Sequence, residues 1–203
     1  MGNTSAAANT AAVKNRFHSK LKALYYAPAT LTETDGAKSI TYGKPVRMFD
    51  AVALSLSKNG DLIIIRSDGT EDVIGTDNQG YNGDVEVIRL PESFETDCLS
   101  STKNTDGTID EFEKDDAKPF ALLFEFVGDK KNVRHCLYWC YANRPDVEGD
   151  NPESKEPKNE KISISARPRP TDGKIKTKTG DTITDTVYNS WYTSVPDQTA
   201  SGS

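Results

Sequence analysis

The chain has 203 residues, of which 35% are hydrophobic, with 31 acids against 25 Lys and Arg, a formal net charge of −6 and three cysteines. That length points to one domain with flexible ends, and the modest apolar fraction leaves room for stabilisation by assembly. The acidic balance argues against a protein that grips nucleic acid, no apolar run approaches the roughly 18–20 residues that span a bilayer, and the cysteines are too few for a secreted disulfide framework.

Residues 1–12 are small and polar and read as a flexible arm. They lack the basic start and apolar stretch of a signal peptide, and Ala6 stands where a myristoylation pattern needs Ser or Thr, so synthesis in a cytoplasm is expected. A first strand is predicted over residues 19–26, ending at Pro28. Strands over 38–42 and 46–57 follow, punctuated by Gly36, Gly43 and Pro45. Asn59-Gly60 is a tight-turn signal that predicts a hairpin between 51–57 and 61–66, and Asp68-Gly69 repeats the signal before 70–74. Residues 84–87 alternate acid with valine, which puts Asp84 and Glu86 on one face of a strand and Val85 and Val87 on the other. Pro91, Glu92 and Glu95 fit the first turn of a short helix whose inner side carries Leu90, Phe94, Cys98 and Leu99.

Residues 119–195 are the most specific stretch. A strand over 120–127 places Phe120, Leu122, Phe124 and Phe126 on one face, while Glu125 interrupts the other. A charged turn at 128–132 leads into an aromatic strand over 134–141. On a regular strand Cys136 and Cys140 share a face about 13 Å apart, too far for a disulfide, with His135 pointing away. The thiols therefore read as buried and inert. Residues 143–160 hold three prolines and mainly acidic charge, the signature of a long exposed loop. Ile162, Ile164 and Ala166 then alternate with Ser163, Ser165 and Arg167 as a half-buried strand. Lys174, Lys176 and Lys178, after Arg167 and Arg169, mark a small basic edge, which either meets acidic neighbouring subunits or, an account at least as good, simply discourages unwanted pairing. A second short helix is predicted over 185–195 with Val187, Tyr188, Trp191 and Val195 packing down, and 196–203 form a flexible tail. The expected fold class is mainly β: a β-sandwich or partial barrel over 13–195 with one or two short flanking α-helices.

No catalytic, cofactor-binding or metal-ligating residue is predicted. Residues 102–113 imitate a calcium loop with Asn104, Asp106, Asp110 and Glu113, but Thr102 occupies the anchoring first position and Lys103 adds positive charge. An Asp-Gly hairpin turn is the reading. His18 and His135 fall in no nucleophile pattern, and no phosphate-binding glycine loop occurs, so an enzyme is not expected.

Several short pieces follow one another along the chain: Tyr26-Ala27-Pro28, Tyr42-Gly43-Lys44-Pro45-Val46, and Gly80-Tyr81-Asn82-Gly83-Asp84-Val85-Glu86 before Leu90-Pro91. Then come Phe120-Ala121-Leu122-Leu123-Phe124-Glu125-Phe126, Lys130-Lys131-Asn132-Val133-Arg134-His135 and Asn143-Arg144-Pro145-Asp146. Ser163-Ile164-Ser165-Ala166-Arg167-Pro168 and Thr186-Val187-Tyr188-Asn189-Ser190-Trp191 complete the series. In this order, over about residues 13–195, the chain resembles the major tail proteins, or tail tube proteins, of long-tailed bacteriophages of Gram-positive hosts; residues 61–74 depart from the pattern. The resemblance implies a β-sandwich of the tail tube type and a structural virion protein made in the host cytoplasm. It implies homohexameric rings stacked around a tape measure protein, with a tail terminator and baseplate or distal tail proteins as further partners. DNA would be met only in passage through the lumen, with no membrane and no cofactor. On this reading Asp84 and Glu86 face the lumen, where negative walls keep phosphates from adhering, and 143–160 is the contact loop. A different class of reading is an isolated binding module, carbohydrate-binding or adhesive, with Trp139, Tyr141, Trp191 and Tyr192 as sugar platforms; core packing explains these aromatics at least as well.

Overall fold

The computed structural model describes residues 15–48, 50–67, 70–148 and 158–197. The predicted arm, residues 149–157 of the predicted loop and residues 198–203 lie outside them. The chain runs β1 (His18–Thr34), β2 (Ala37–Tyr42), β3 (Val46–Met48), β4 (Ala51–Asn59), β5 (Leu62–Ser67), β6 (Thr70–Thr76), β7 (Gly80–Val87) and α1 (Glu92–Cys98). It continues through β8 (Thr102–Lys103), β9 (Ile109–Asp110), β10 (Phe120–Gly128), β11 (Val133–Ala142), β12 (Glu160–Ala166), β13 (Lys176–Lys178) and α2 (Asp185–Ser190). The protein is mainly β. One large antiparallel sheet has the order β2-β1-β10-β11-β12-β7-β4, with β13 added to β11 and β3 to β1, and β5–β6 and β8–β9 form separate ribbons.

The predicted strand over 46–57 is two strands, because the chain kinks at Asp50, whose φ is 59°. The kink lets β3 pair with β1, Leu24 opposite Met48, while β4 pairs with β7, Leu54 opposite Val85. The far ends of the sheet are thus linked through one short kink, and the sheet curls around its apolar face. Leu24, Tyr26, Met48, Val85, Leu122 and Ile162 fill the inside of the curl. Helix α1 closes one end of it, setting Phe94 edge-on to Tyr26 and Phe120 at centroid distances of 5.0 and 5.2 Å. Leu90, Phe94, Cys98 and Leu99 are all buried, as the helix pattern requires. On the opposite face of β1, β10 and β11, a second cluster of Ala27, Ala121, Leu123, Cys136 and Tyr138 is covered by Trp191 and Val195. Thr184 caps α2 by accepting the Val187 N–H, and the helix stops at Ser190, sooner than the predicted 195.

Three sequence expectations are corrected. Strand β1 does not end near Pro28. Proline costs the ladder one N–H, and β1 changes partner there instead: it pairs with β10 up to Pro28 opposite Phe120, then with β2 from Ala29 opposite Tyr42. The hairpin between 51–57 and 61–66 does not form, because β4 already pairs with β7 along Ala51–Asn59. Gly60, at φ 121°, carries the chain onward, and β5 pairs with β6, Leu62 opposite Thr76 and Ser67 opposite Thr70. The backbone bonds Gln79 N to Asn59 O at 2.9 Å and Asp77 N to Asp61 O at 2.8 Å join the two ladders into one long ribbon. Finally, Cys136 and Cys140 lie on opposite faces. Phe120 stands opposite Cys140 but Leu122 opposite Leu137, so Tyr138 and Trp139 together face Ala121. This bulge inverts the alternation, sending Cys136 to the outer cluster and Cys140 to the inner one.

Gly83 sits between β4 and β12, and a Cβ there would fall 1.8 Å from the Ser55 carbonyl oxygen. Gly83→Ala must therefore part the β4–β7 ladder. A loss of at least about 1–3 kcal/mol is expected in urea unfolding, whereas Gly107→Ala, with open space around the added carbon, costs only its backbone strain.

Candidate functional site

The groups with intrinsic reactivity are placed as packing or turn elements. The three thiols are free and buried, and burial pushes each of them well above the usual cysteine range, which keeps them protonated. His135 lies flat on Phe124, with ring centroids 4.9 Å apart and planes 3° apart. The side chain of His18 is outside the described ones. In the calcium-loop look-alike, β8 pairs with β9 around Gly107 at φ 91°. Its polar side chains satisfy one another: the Thr108 hydroxyl donates to Asp106 Oδ1 at 2.8 Å, and Asn104 Nδ2 donates to Asp110 Oδ2 at 2.7 Å. Among the described residues no group of three or more His, Cys, Asp or Glu could hold a metal ion.

The acids of β7 do share the outward face, opposite the buried Val85 and Val87. They belong to a polar strip built across three strands, because β7 pairs with both β4 and β12. Asp84 stands opposite Ser55 on one side and Ser163 on the other, and Asn82 opposite Ser57 and Ser165. The Ser163 hydroxyl donates to Asp84 Oδ1 at 2.8 Å, and the Lys161 ammonium lies 3.0 Å from Asp84 Oδ2. The Lys161 hydrogen bond, then that of Ser163, holds the Asp84 carboxyl below the usual aspartate range. Glu86 accepts from Asn159 Nδ2 at 2.7 Å. The strip is acidic in its strand residues and locally compensated by Lys161.

The described part of the predicted contact loop is anchored at its start. Arg144 donates to Leu99 O at 3.1 Å and lies 3.0 Å from Glu111 and 3.6 Å from Asp115, while Val147 is fully exposed. The basic edge divides. Lys176 and Lys178 are exposed on β13, but Arg169 is 92% buried, since only 8% of it is exposed, and it binds Asp172 and Asp197 at 2.5 and 2.8 Å. The Arg169 hydrogen bonds push Asp172 down to about 2. Pro196 accepts from the Tyr138 hydroxyl at 2.5 Å, so the chain stays attached to the sheet through Asp197.

The least legible feature is a buried polar network beneath α2. Glu125 is 2% exposed, and its carboxylate takes Arg134 Nε at 2.6 Å, Asn132 Nδ2 at 2.6 Å, Lys22 Nζ at 3.3 Å and the Tyr192 hydroxyl at 3.1 Å. Arg134 also donates to the Tyr188 carbonyl, and its guanidinium lies 3.7 Å from the Tyr188 ring centroid. The signal was an acid inside an apolar strand, which demands a partner, and Arg134 is directly opposite Glu125 in the ladder. Of the proposed sugar platforms, Trp139 and Trp191 are 5% and 2% exposed, and Tyr192 is stacked on Tyr25 at 4.2 Å.

No helix among the described residues is long and apolar enough to cross a membrane. The chain matches no family model and no curated protein.

Burial raises the Glu125 carboxyl, but the Arg134 hydrogen bond and charge, with Asn132 and Lys22, outweigh it and leave the group below the usual glutamate range. A lowered folded value means the contribution is present above the unfolded pKa, about 4.3, and is lost as pH falls through the folded value. Arg134→Ala strands the buried carboxylate and is expected to cost about 3–5 kcal/mol at pH 7. In Arg134→Ala protein the acid-side loss of stability should shrink, read as urea midpoints between pH 7 and pH 3.

Proposed function

We propose that the chain is a structural virion protein, a tail tube subunit that forms homohexameric rings stacked into the conduit through which a phage genome leaves the capsid. The observation that carries this reading is the pair of ribbons that leave the main sheet. Beyond Pro28, β1 pairs only with β2 among the described residues, six residues on each strand. From Thr30 to Ser39 every residue of that ribbon is exposed. It spans about 20 Å and presents strand edges whose N–H and C=O groups are templates for a further strand. The β5–β6 ribbon extends the β4–β7 ladder in the same manner. A two-stranded ribbon is marginal on its own in water, so ribbons of this kind are stabilised by pairing with neighbours. A second copy supplies such neighbours in an assembly that repeats.

The order of motifs shared with tail tube proteins supports the same reading, and the polar strip of Asn82, Asp84, Glu86, Ser163 and Ser165 suits a wall that DNA passes without adhering. The tape measure, terminator and distal tail proteins are its proposed partners, at the lumen and the two ends of the tube. Of the four aromatics named for the carbohydrate-binding reading, Trp139 and Trp191 are core residues, which favours the packing account of those two.

Negative-stain microscopy of concentrated protein tests the proposal: tubes or six-fold rings are expected, and dispersed monomers at every concentration would overturn it. In an assembled tube Asp84 and Glu86 are expected on the inner wall. A tube reconstruction with both on the outer surface removes the lumen assignment.

A further inference from the structure

The curled sheet has a gap. Strand β11 changes neighbours along its length, pairing with β12 at Cys140, Tyr141 and Ala142 but with β13 at His135, Cys136 and Leu137. Among the described residues no strand bridges β13 and β7 there, and the interior opens into a groove of about 360 Å³. Its walls are mainly apolar, with Leu54 and Leu56 from β4, Phe124 and Phe126 from β10 and Leu137 from β11, and Ser55 and the His135 ring also line it. At the mouth Lys176 crosses the gap, donating to the Tyr81 hydroxyl at 2.7 Å with its ammonium 4.4 Å from the ring centroid. Lys178 stands two residues on, on the same face of β13. The groove is thus mainly apolar within and cationic at its rim.

At the other end of the molecule one exposed aromatic has the opposite character. Phe112 is 55% exposed and lies between Glu111 and Glu113. A lone exposed apolar residue is ordinary, but this one is displayed on a tied turn. The Phe112 N–H donates to Asp115 Oδ2 at 2.8 Å, and the Asp115 N–H donates back to the Phe112 carbonyl at 3.0 Å. Arg144 braces the turn on both sides through Glu111 and Asp115. The backbone that carries the ring is therefore already ordered, so little backbone freedom is lost on docking.

The two features cannot meet within one chain. Arg144 and its turn lie beyond the Phe120 end of β10, whereas the groove is formed around Phe124 and Phe126, on the order of 15 Å further along the strand. We propose that Phe112 of one copy seats in the groove of a second copy, with Glu113 beside Lys176 at the rim. This rests on the assembly reading above and gives it a specific contact. The contact joins two different surfaces, so it is heterologous, and such contacts propagate into closed rings or open filaments rather than stopping at a symmetric dimer. An aromatic anchor in an apolar pocket supplies the affinity, and the flanking acids set the register against the lysines.

Protein carrying the photo-cross-linker p-benzoylphenylalanine in place of Phe112 is illuminated at high concentration, and the linked peptides are mapped by mass spectrometry. Cross-links to the β4 and β10 peptides of a second copy are expected. In parallel, Phe112→Ser should weaken self-association at least tenfold in sedimentation while its melting temperature stays that of the unaltered protein. Glu113→Lys should weaken association as well, and mixing it with Lys176→Glu protein should restore part of it. Cross-links that map elsewhere, or Phe112→Ser protein that assembles normally, overturn this contact and leave the tube reading standing. Groove cross-links in oligomers that never form rings or tubes support the contact and overturn the tube reading. Monomers without cross-links at any concentration overturn both.

Discussion

Strand β10 is buried on both faces from Phe120 to Glu125, and the two layers that cover it organise the core of the molecule. Phe120, Leu122 and Phe124 face the interior of the curl, while Ala121, Leu123 and Glu125 face the other way. A strand apolar on one side needs one cover; this one needs two. The inner cover is the sheet's own curvature with α1 as a plug, and the outer cover is the segment of α2, Trp191 and Val195. Glu125 makes the second cover specific. Its charge demands Arg134, and Arg134, once ordered, stacks on Tyr188 and binds that residue's carbonyl. A single acid in an apolar run thereby fixes where the last helix docks.

Irregularities, more than regular strands, give the sheet its form. The exchange of partners at Pro28 sends the β1–β2 ribbon out of the sheet, the kink at Asp50 lets β3 and β4 reach opposite ends of it, and the bulge at Tyr138 and Trp139 reassigns every later side chain of β11. Each departs from the pairing a straight strand would complete, and each leaves a surface. The unpaired edges of the ribbons and the groove beside β13 follow from strands that change neighbours part-way. Such surfaces are a liability in a monomer and an asset in a polymerising subunit. The apolar fraction of this chain is modest for its length, and in the proposed assembly association would contribute stability that a larger core would otherwise supply.

The polar strip on β4, β7 and β12 differs from a simple acidic wall. Asp84 is held by Lys161 and Ser163, so at close range its field is largely cancelled. The Ser163 hydroxyl donates to Asp84, and the Ser165 hydroxyl donates to the Asn82 side-chain oxygen. Serine hydroxyls that already donate to a neighbour are less available to an outside acceptor. On the proposed lumen assignment, this and the residual negative charge are the two features that would disfavour adhesion of a passing phosphate.

Local pattern was enough for much of this. The alternation of Val85 and Val87 with acids, of Ile162, Ile164 and Ala166 with serines, the helix stripe of Leu90, Phe94 and Cys98, and the Asp-Gly turn at Gly107 all depend on neighbours a few residues apart, and all stand as read. Pairing was out of reach of that kind of reading. Asn59-Gly60 carries the composition of a tight turn, yet the chain runs straight on there, because whether β4 turns back on β5 or pairs with β7 depends on which ladder buries more apolar surface, a property of residues 20 or more positions away. The same holds for Cys136 and Cys140, whose faces were assigned by the period of a straight strand and reversed by one extra residue opposite Ala121. It holds for Glu125 and Arg134 too, visible as charges but joined only by the register of β10 against β11. The sequence by itself determined which segments are strands and which side of most of them is apolar, because those preferences are local. Only the tertiary structure decided which strand lies beside which, and therefore where the edges, the strip and the groove fall, because that choice is settled by long-range burial.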